Sequence, residues 1–162
     1  MTFDLVGNRR SVIETLAPQA PRTVTYVYDA QYRLTSEATV GFSQTFFYDP
    51  AGNRTHLTRV EGANTTVTTY QCDRLNRLLN SSSSTNGGAA QVTTYAYDLN
   101  GNQTSQAIPG YPAIGMQWDV HSRLIGGNAM GVTAGAAASY DYRTRRQTKA
   151  GGTDVTFFLL PL

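Results

Sequence analysis

Thr45 to Thr58 reads TFFYDPAGNRTHLT. An extended run of aromatic and β-branched residues reaches Tyr48-Asp49, breaks at Pro50-Ala51-Gly52, and resumes from Asn53. In a strand, side chains alternate between faces, so Phe46 and Tyr48 share one of them. The break is turn chemistry. An Asp carboxylate accepts hydrogen bonds from backbone N–H groups two residues later, and a Gly three residues on is the usual companion of a type I turn. Gly or Asn at that place also takes the left-handed conformation that ends a three- to five-residue hairpin loop with a bulge. The stretch therefore predicts a β-hairpin with Asp49 and Gly52 at its tip.

The same phrase recurs along the chain. An aromatic residue precedes Asp at Phe3-Asp4, Tyr28-Asp29, Tyr48-Asp49, Tyr97-Asp98, Trp118-Asp119 and Tyr140-Asp141, and Cys72-Asp73 fills the remaining slot. The aspartates are 25, 20, 24, 25, 21 and 22 residues apart, a period that identifies a repeat architecture. Two flavours alternate: D-x-x-G-N-[RQ] at Asp4, Asp49 and Asp98, and D-x-x-x-R-L at Asp29, Asp73 and Asp119. The Asp141 copy ends in Arg145-Arg146 instead. Gly7, Gly52, Gly101 and Asn76 suit a left-handed position. Tyr32, Ser122 and Thr144 suit it poorly, so those copies are expected to use a variant turn.

The flanks of every turn read as strands. The period of two places Val24, Tyr26 and Tyr28 on one face, and likewise Phe46 with Tyr48, Tyr70 with Cys72, Tyr95 with Tyr97, and Met116 with Trp118. The opposite face is mostly Thr, Gln and Ala, with Val27, Phe47, Val67 and Val92 as exceptions. Between hairpins, Glu61–Asn64, Ser81–Ala90, Ile108–Ile114 and Gly126–Ala137 read as loops, and any binding edge is expected among them. The expected fold is all-β: a single-layer antiparallel sheet of about seven hairpins.

Composition agrees and excludes several functions. Over 162 residues, 40% are apolar and 15% charged, both low for a deep conventional core. A net charge of +2 is too small to argue for nucleic acid. The basic run Arg143–Lys149 reads as a solvated turn and strand. One cysteine excludes an internal disulfide framework and cysteine-rich zinc motifs; Cys72, in an aromatic slot, is expected to be a buried small hydrophobe. His56 and His121 lack spaced partners for a metal site, and no G-x-S-x-G elbow is present. No catalytic, cofactor-binding or metal-ligating residue is expected. The N-terminus carries no signal peptide, and no window is apolar enough to span a bilayer. The sequons at Asn53, Asn64, Asn80 and Asn102 are what so much Asn, Ser and Thr produces.

The iterated Tyr-Asp-x-x-Gly-Asn-Arg and Asp-x-x-x-Arg-Leu units resemble the YD repeats of Rhs (rearrangement hot-spot) proteins, which also occur in the C components of insecticidal toxin complexes and in teneurin shells. The resemblance runs from Phe3 to about Lys149 and implies one array over residues 1–162. Its repeats begin near Phe3, Tyr28, Tyr48, Cys72, Tyr97, Trp118 and Tyr140, and a further, truncated repeat opens at 150–162. In that family such repeats form antiparallel sheets that spiral into a hollow shell around a C-terminal toxic domain. Larger members also carry an aspartyl self-cleavage motif around Asp-Pro-x-Gly-Leu. Asp49-Pro50-Ala51-Gly52-Asn53 resembles it superficially and is read as an ordinary repeat turn.

Seven hairpins at about 4.8 Å per strand give roughly 65–70 Å of sheet width, and a ring of that perimeter is only about 20 Å across. A folded toxin does not fit inside, so the expectation is a curved open strip, or part of a spiral shell, belonging to a longer polypeptide. The resemblance implies a structural, non-enzymatic segment that encapsulates or presents a toxin or other cargo. Its partners are the rest of the shell and that cargo, outside the producing cell or at its surface. Exposed terminal strands invite edge-to-edge self-association. The aspartates Asp4, Asp29, Asp49, Asp73, Asp98, Asp119 and Asp141 are read as turn caps neutralised by nearby arginines, because an active site is not repeated seven times. The aromatic ladder is read as cross-strand packing. The alternative is a carbohydrate-binding or adhesion module stacking sugars on Trp118, Tyr95 and Tyr97. A third reading is a fragment without independent activity.

Overall fold

The structure, a computed structural model, describes residues 1–15, 20–128, 136–140 and 146–150. Two compact units divide the chain, Met1–Gln91 and Val92–Leu162. In the first, an antiparallel meander runs in chain order through β1 (Thr2–Phe3), β2 (Arg9–Glu14), β3 (Arg22–Tyr28), β4 (Leu34–Thr39), β5 (Phe42–Tyr48), β6 (Arg54–Glu61), β7 (Asn64–Cys72) and β8 (Leu78–Thr85). In the second, β9 (Gln91–Tyr97), β10 (Gln103–Ala107), β11 (Ile114–Trp118), β12 (Leu124–Gly127), β13 (Ala136–Tyr140) and β14 (Arg146–Ala150) follow the same rule. The described residues contain no helix. The described residues form fourteen strands, two to each of the seven hairpins expected from the sequence, and the connections between those hairpins are themselves turns joining paired strands.

Strand alternation follows the sequence frame. Along β3 and β9, Tyr26, Tyr28, Tyr95 and Tyr97 are half-buried while Val27 and Ala96 between them are exposed. Val24, 3% exposed, and Leu78, 8% exposed, are the buried apolar side chains among the described residues. That is what one layer of sheet without a covering layer gives: shelter comes from lateral neighbours across strands, not from an opposing layer.

Every described Asp turn carries a register shift next to the residue before Asp, as between Val27 and Tyr28, Phe47 and Tyr48, Gln71 and Cys72, and Gln117 and Trp118. Asp donates its N–H to the carbonyl four residues on at 2.9–3.0 Å, and the residue three on donates to the Asp carbonyl at 3.0–3.2 Å. Tyr32 and Ser122 make the same turn as Gly52, which corrects the expectation of a variant. Their φ angles are 62° and 57°, against 93° at Gly52. The hydrogen-bonded bracket outweighs the roughly 1–2 kcal/mol that a left-handed non-glycine residue costs. Thr144 lies outside the described residues. At Gly52 a Cβ would meet nothing within 4 Å, so Gly52→Ala tests the backbone term alone. We expect a loss of about 1 kcal/mol, read as a fall of about 2–4 °C in the thermal midpoint by circular dichroism. No shift would show that this position carries no strain.

All four expected loops give residues to strands at their ends, and two do so over more than one residue at an end. Ser81–Thr85 belong to β8 and pair with Thr66–Tyr70. Serines that read as loop by composition are held by cross-strand hydroxyl bonds, Thr66–Thr85 at 2.9 Å and Thr68–Ser83 at 3.2 Å. Gly126 and Gly127 lie in β12, and a Cβ on Gly127 would stand 2.6 Å from the Gly115 carbonyl oxygen, so close strand approach explains the glycine. Residues 129–135 are outside the described set. At the far edge two asparagines clasp the ladder. Asn86 donates its N–H to the Thr65 carbonyl at 2.7 Å and accepts the Thr65 N–H on Oδ1 at 2.8 Å. Asn128 treats Gly115 identically, at 3.1 and 2.6 Å.

Candidate functional site

The repeated turn is the most elaborate chemical unit in the molecule. In all six described copies, Oδ1 of the Asp accepts the backbone N–H of the residue four on, at 2.8–3.0 Å. The N–H two residues on also reaches Oδ1, as from Val6, Gln31, Leu75, Asn100 and His121 at 2.8–3.0 Å. The second oxygen, Oδ2, takes the side chain of the residue four on. In one flavour this is an amide: Asn8, Asn53 or Asn102, each at 2.9 Å. In the other it is a guanidinium Nε: Arg33 and Arg77 at 2.7 Å and Arg123 at 2.6 Å. The two sequence flavours are thus two ways of filling one socket.

The electrostatics follow from this geometry. Side-chain amides hold the Asp49 and Asp98 carboxyls below the ordinary carboxylate range, with backbone N–H groups assisting. At Asp73 the backbone N–H of Arg77 is the leading cause of the same depression. At Asp4, Asp29 and Asp119 partial desolvation pulls upward, but the combined hydrogen bonds outweigh it and the result is again downward. Both oxygens of each carboxylate are thus engaged by its own loop. Asp141 lies outside the described residues.

Arginines then tie one turn to the next. The Arg33 guanidinium sits 4.7 Å from the Tyr48 ring centroid and donates through Nη1 to the Asp49 carbonyl at 3.1 Å. Arg54 lies 4.5 Å from the Tyr70 ring and 5.9 Å from Phe46. Its Nε is buried without an acceptor, and the two ring faces substitute for one. Arg9 approaches Tyr26 at 5.9 Å. Asn53 reaches across to Asn76 Oδ1 at 2.8 Å. Polar tips of the aromatics also point backward along the array: the Tyr48 hydroxyl donates to the Leu34 carbonyl and the Trp118 indole N–H to that of Gln103, both at 2.7 Å. Sequence reasoning recognised Arg as a neutraliser but missed this lacing. The signal was present in the Asn or Arg that stands four residues after Asp in every one of these copies.

The proposed sugar-stacking residues are half-buried: Trp118, Tyr95 and Tyr97 share the ladder face, on β11 and β9. Cys72 is half-buried rather than fully buried, because the ladder face has no second layer above it. Desolvation and the charges of Asp49 and Asp73 push its thiol upward, away from reactivity. His56 stands edge-on to Phe47 at 6.2 Å, and His121 serves its turn through its backbone. Among the described residues no group of three His, Cys, Asp or Glu side chains is placed to hold a metal ion, and no helix is long and apolar enough to cross a membrane.

No protein-family model matches the sequence, and no curated protein matches it. Among solved structures, the chain is similar to a TcdB2–TccC3–TEV crystal structure, with a TM-score of 0.48 and 14% identity over 94% of this chain. A TcdB2–TccC3–Cdc42 crystal structure gives 0.47 and 13% over 93%. A Photorhabdus luminescens Tc holotoxin pore carrying a TccC3 mutation gives 0.49 and 14% over 93%. The chain spans 11% of the length of each of those chains.

Proposed function

We propose that this chain is a structural, non-enzymatic stretch of a YD-repeat shell of the Rhs type. In a larger polypeptide acting outside the producing cell, it would form part of the wall that encloses or presents a toxin or other cargo. The observation that carries the reading is the repeated bracket. The same carboxylate socket closes each of the six described Asp turns, and arginines bond several turns to the next repeat, as Arg33 does to Asp49 and Tyr48. Such a unit contributes rigidity and little else, repeat after repeat, which is the requirement of a wall. Curvature into an open strip or spiral belongs to the same proposal.

A wall must withstand proteases at its own turns. Arg33, Arg77 and Arg123 sit at hairpin tips where trypsin would find them, yet their backbone and side chains are locked. The folded chain is expected to be cut there at least about tenfold more slowly than the urea-unfolded chain, read by mass spectrometry of the fragments. Equal rates would overturn the wall reading. In parallel, a saturable change in Trp118 fluorescence with oligosaccharides would replace it by the carbohydrate-binding one.

A further inference from the structure

The strands of the first unit segregate their charge. Directly opposed residues in an antiparallel pair share a face, so the pairing registers trace rows across the sheet. One row runs Ser11, Thr25, Ala38, Ser43, Val60, Thr65. The next, two residues along each strand, runs Val27, Ser36, Thr45, Thr58, Val67, Ser84. Twelve positions hold Ser, Thr, Ala and Val alone, without a charge. Among the charged strand residues, Glu37, Arg59 and Glu61 occupy the ladder face, in register with Tyr26, Gln44 and Phe42; Glu14 and Arg22 pair on that same face, Arg9 and Arg54 reach its aromatic rings, and Arg10 stands at the β1–β2 bulge. On the uncharged face the large side chains stand open to solvent: Val27 55%, Phe47 53% and Val67 39% exposed.

From this we propose that the uncharged face of β2–β8 is a self-association surface, docking face to face on the same face of a second copy of this chain. Three physical points favour that occupant. A twofold interface sets one patch against its own copy, so a charge near the axis would face its own sign; the two rows hold none, and His56, in register with Phe47, is the titratable side chain beside them on this face. Small side chains let two sheets approach to about 10 Å, and burying Ser and Thr hydroxyls beside Val and Ala costs far less than burying ions. The low positions Ser36, Thr45 and Thr58 lie in a row between Val27 and Val67, leaving a shallow trough flanked by apolar ridges. The size also fits: six strands at about 4.8 Å by three rows at about 6.8 Å give roughly 500–600 Å² per copy, the lower end for a specific interface. A weak, reversible dimer is the consequence.

The test uses the full chain in analytical ultracentrifugation from about 10 µM to about 1 mM. Weight-average mass should climb towards twice the monomer, and Thr45→Lys with Thr58→Lys should raise the apparent Kd at least about tenfold. Unchanged circular dichroism and thermal midpoint would show that the variant still folds. A monomer throughout the range overturns the proposal, as does a dimer that ignores the lysines, since association along the sheet edges would be blind to them.

Discussion

Truncating Leu78 to alanine is expected to destabilise the chain by about 2–3 kcal/mol, a 30- to 150-fold fall in the folded-to-unfolded ratio. Leu78 is 8% exposed, opens β8 immediately after Arg77, and pairs with Cys72 across the bulge. Its burial therefore coincides with the point where a turn hands over to a return strand. In a globular core, one truncated leucine leaves many others in place. Here Val24 is its only companion as a buried apolar side chain among the described residues, so the loss falls on a short account of apolar shelter. The estimate stays at the low end of leucine truncations because lateral neighbours on one sheet can lean into the gap. Leu75, in the same turn, is 71% exposed, and Leu75→Ala should change stability by less than about 0.5 kcal/mol. Urea denaturation of both variants decides the matter. Equal midpoints would mean that Leu78 shelters nothing and that the sheet is held by its backbone and turns alone.

Much of this architecture was legible because the two strongest signals, alternation and the Asp turn, reinforce each other seven times over. Val27 and Phe47 stand out on the exposed face where the period of two put them. What could not be read had physical reasons. Tyr32 and Ser122 adopt a left-handed turn despite poor propensity, since the carboxylate socket fixes the loop from outside the residue concerned. Ser81–Ser84 read as part of a loop, and only a Thr-rich partner strand in register turns those serines into β8. The asparagine clasps at Asn86 and Asn128 depend on which backbone pair lies opposite, which no local pattern reveals. The role of the residue four after Asp was written in the spacing but not in any single copy.

The other large effect lies in pH. Acid should unfold this chain cooperatively between about pH 4 and pH 2, with several protons taken up together. Asp4, Asp29, Asp49, Asp73, Asp98 and Asp119 all have folded values below the ordinary 3.8. The folded carboxylates therefore bind protons less readily than the unfolded ones. Their contribution to stability is fully present above 3.8 and is lost as pH falls through the lower folded values. Protonation removes the acceptor from one oxygen of each socket, and it leaves Arg33, Arg77 and Arg123 facing neutral partners at the same moment. Because the six turns share one kind of socket, their losses should coincide instead of spreading over the acid range. Circular dichroism from about pH 7 to pH 1.5, with proton uptake measured by titration, would show one steep step. Asp29→Asn should move that step to higher pH more than Asp49→Asn does, since an amide opposite Arg33 forfeits an ion pair while one opposite the neutral Asn53 amide loses only the charge assistance of a single hydrogen bond. A chain that keeps its full β signal at pH 2, or that unfolds above pH 5, would show that the carboxylate sockets are not what holds the turns.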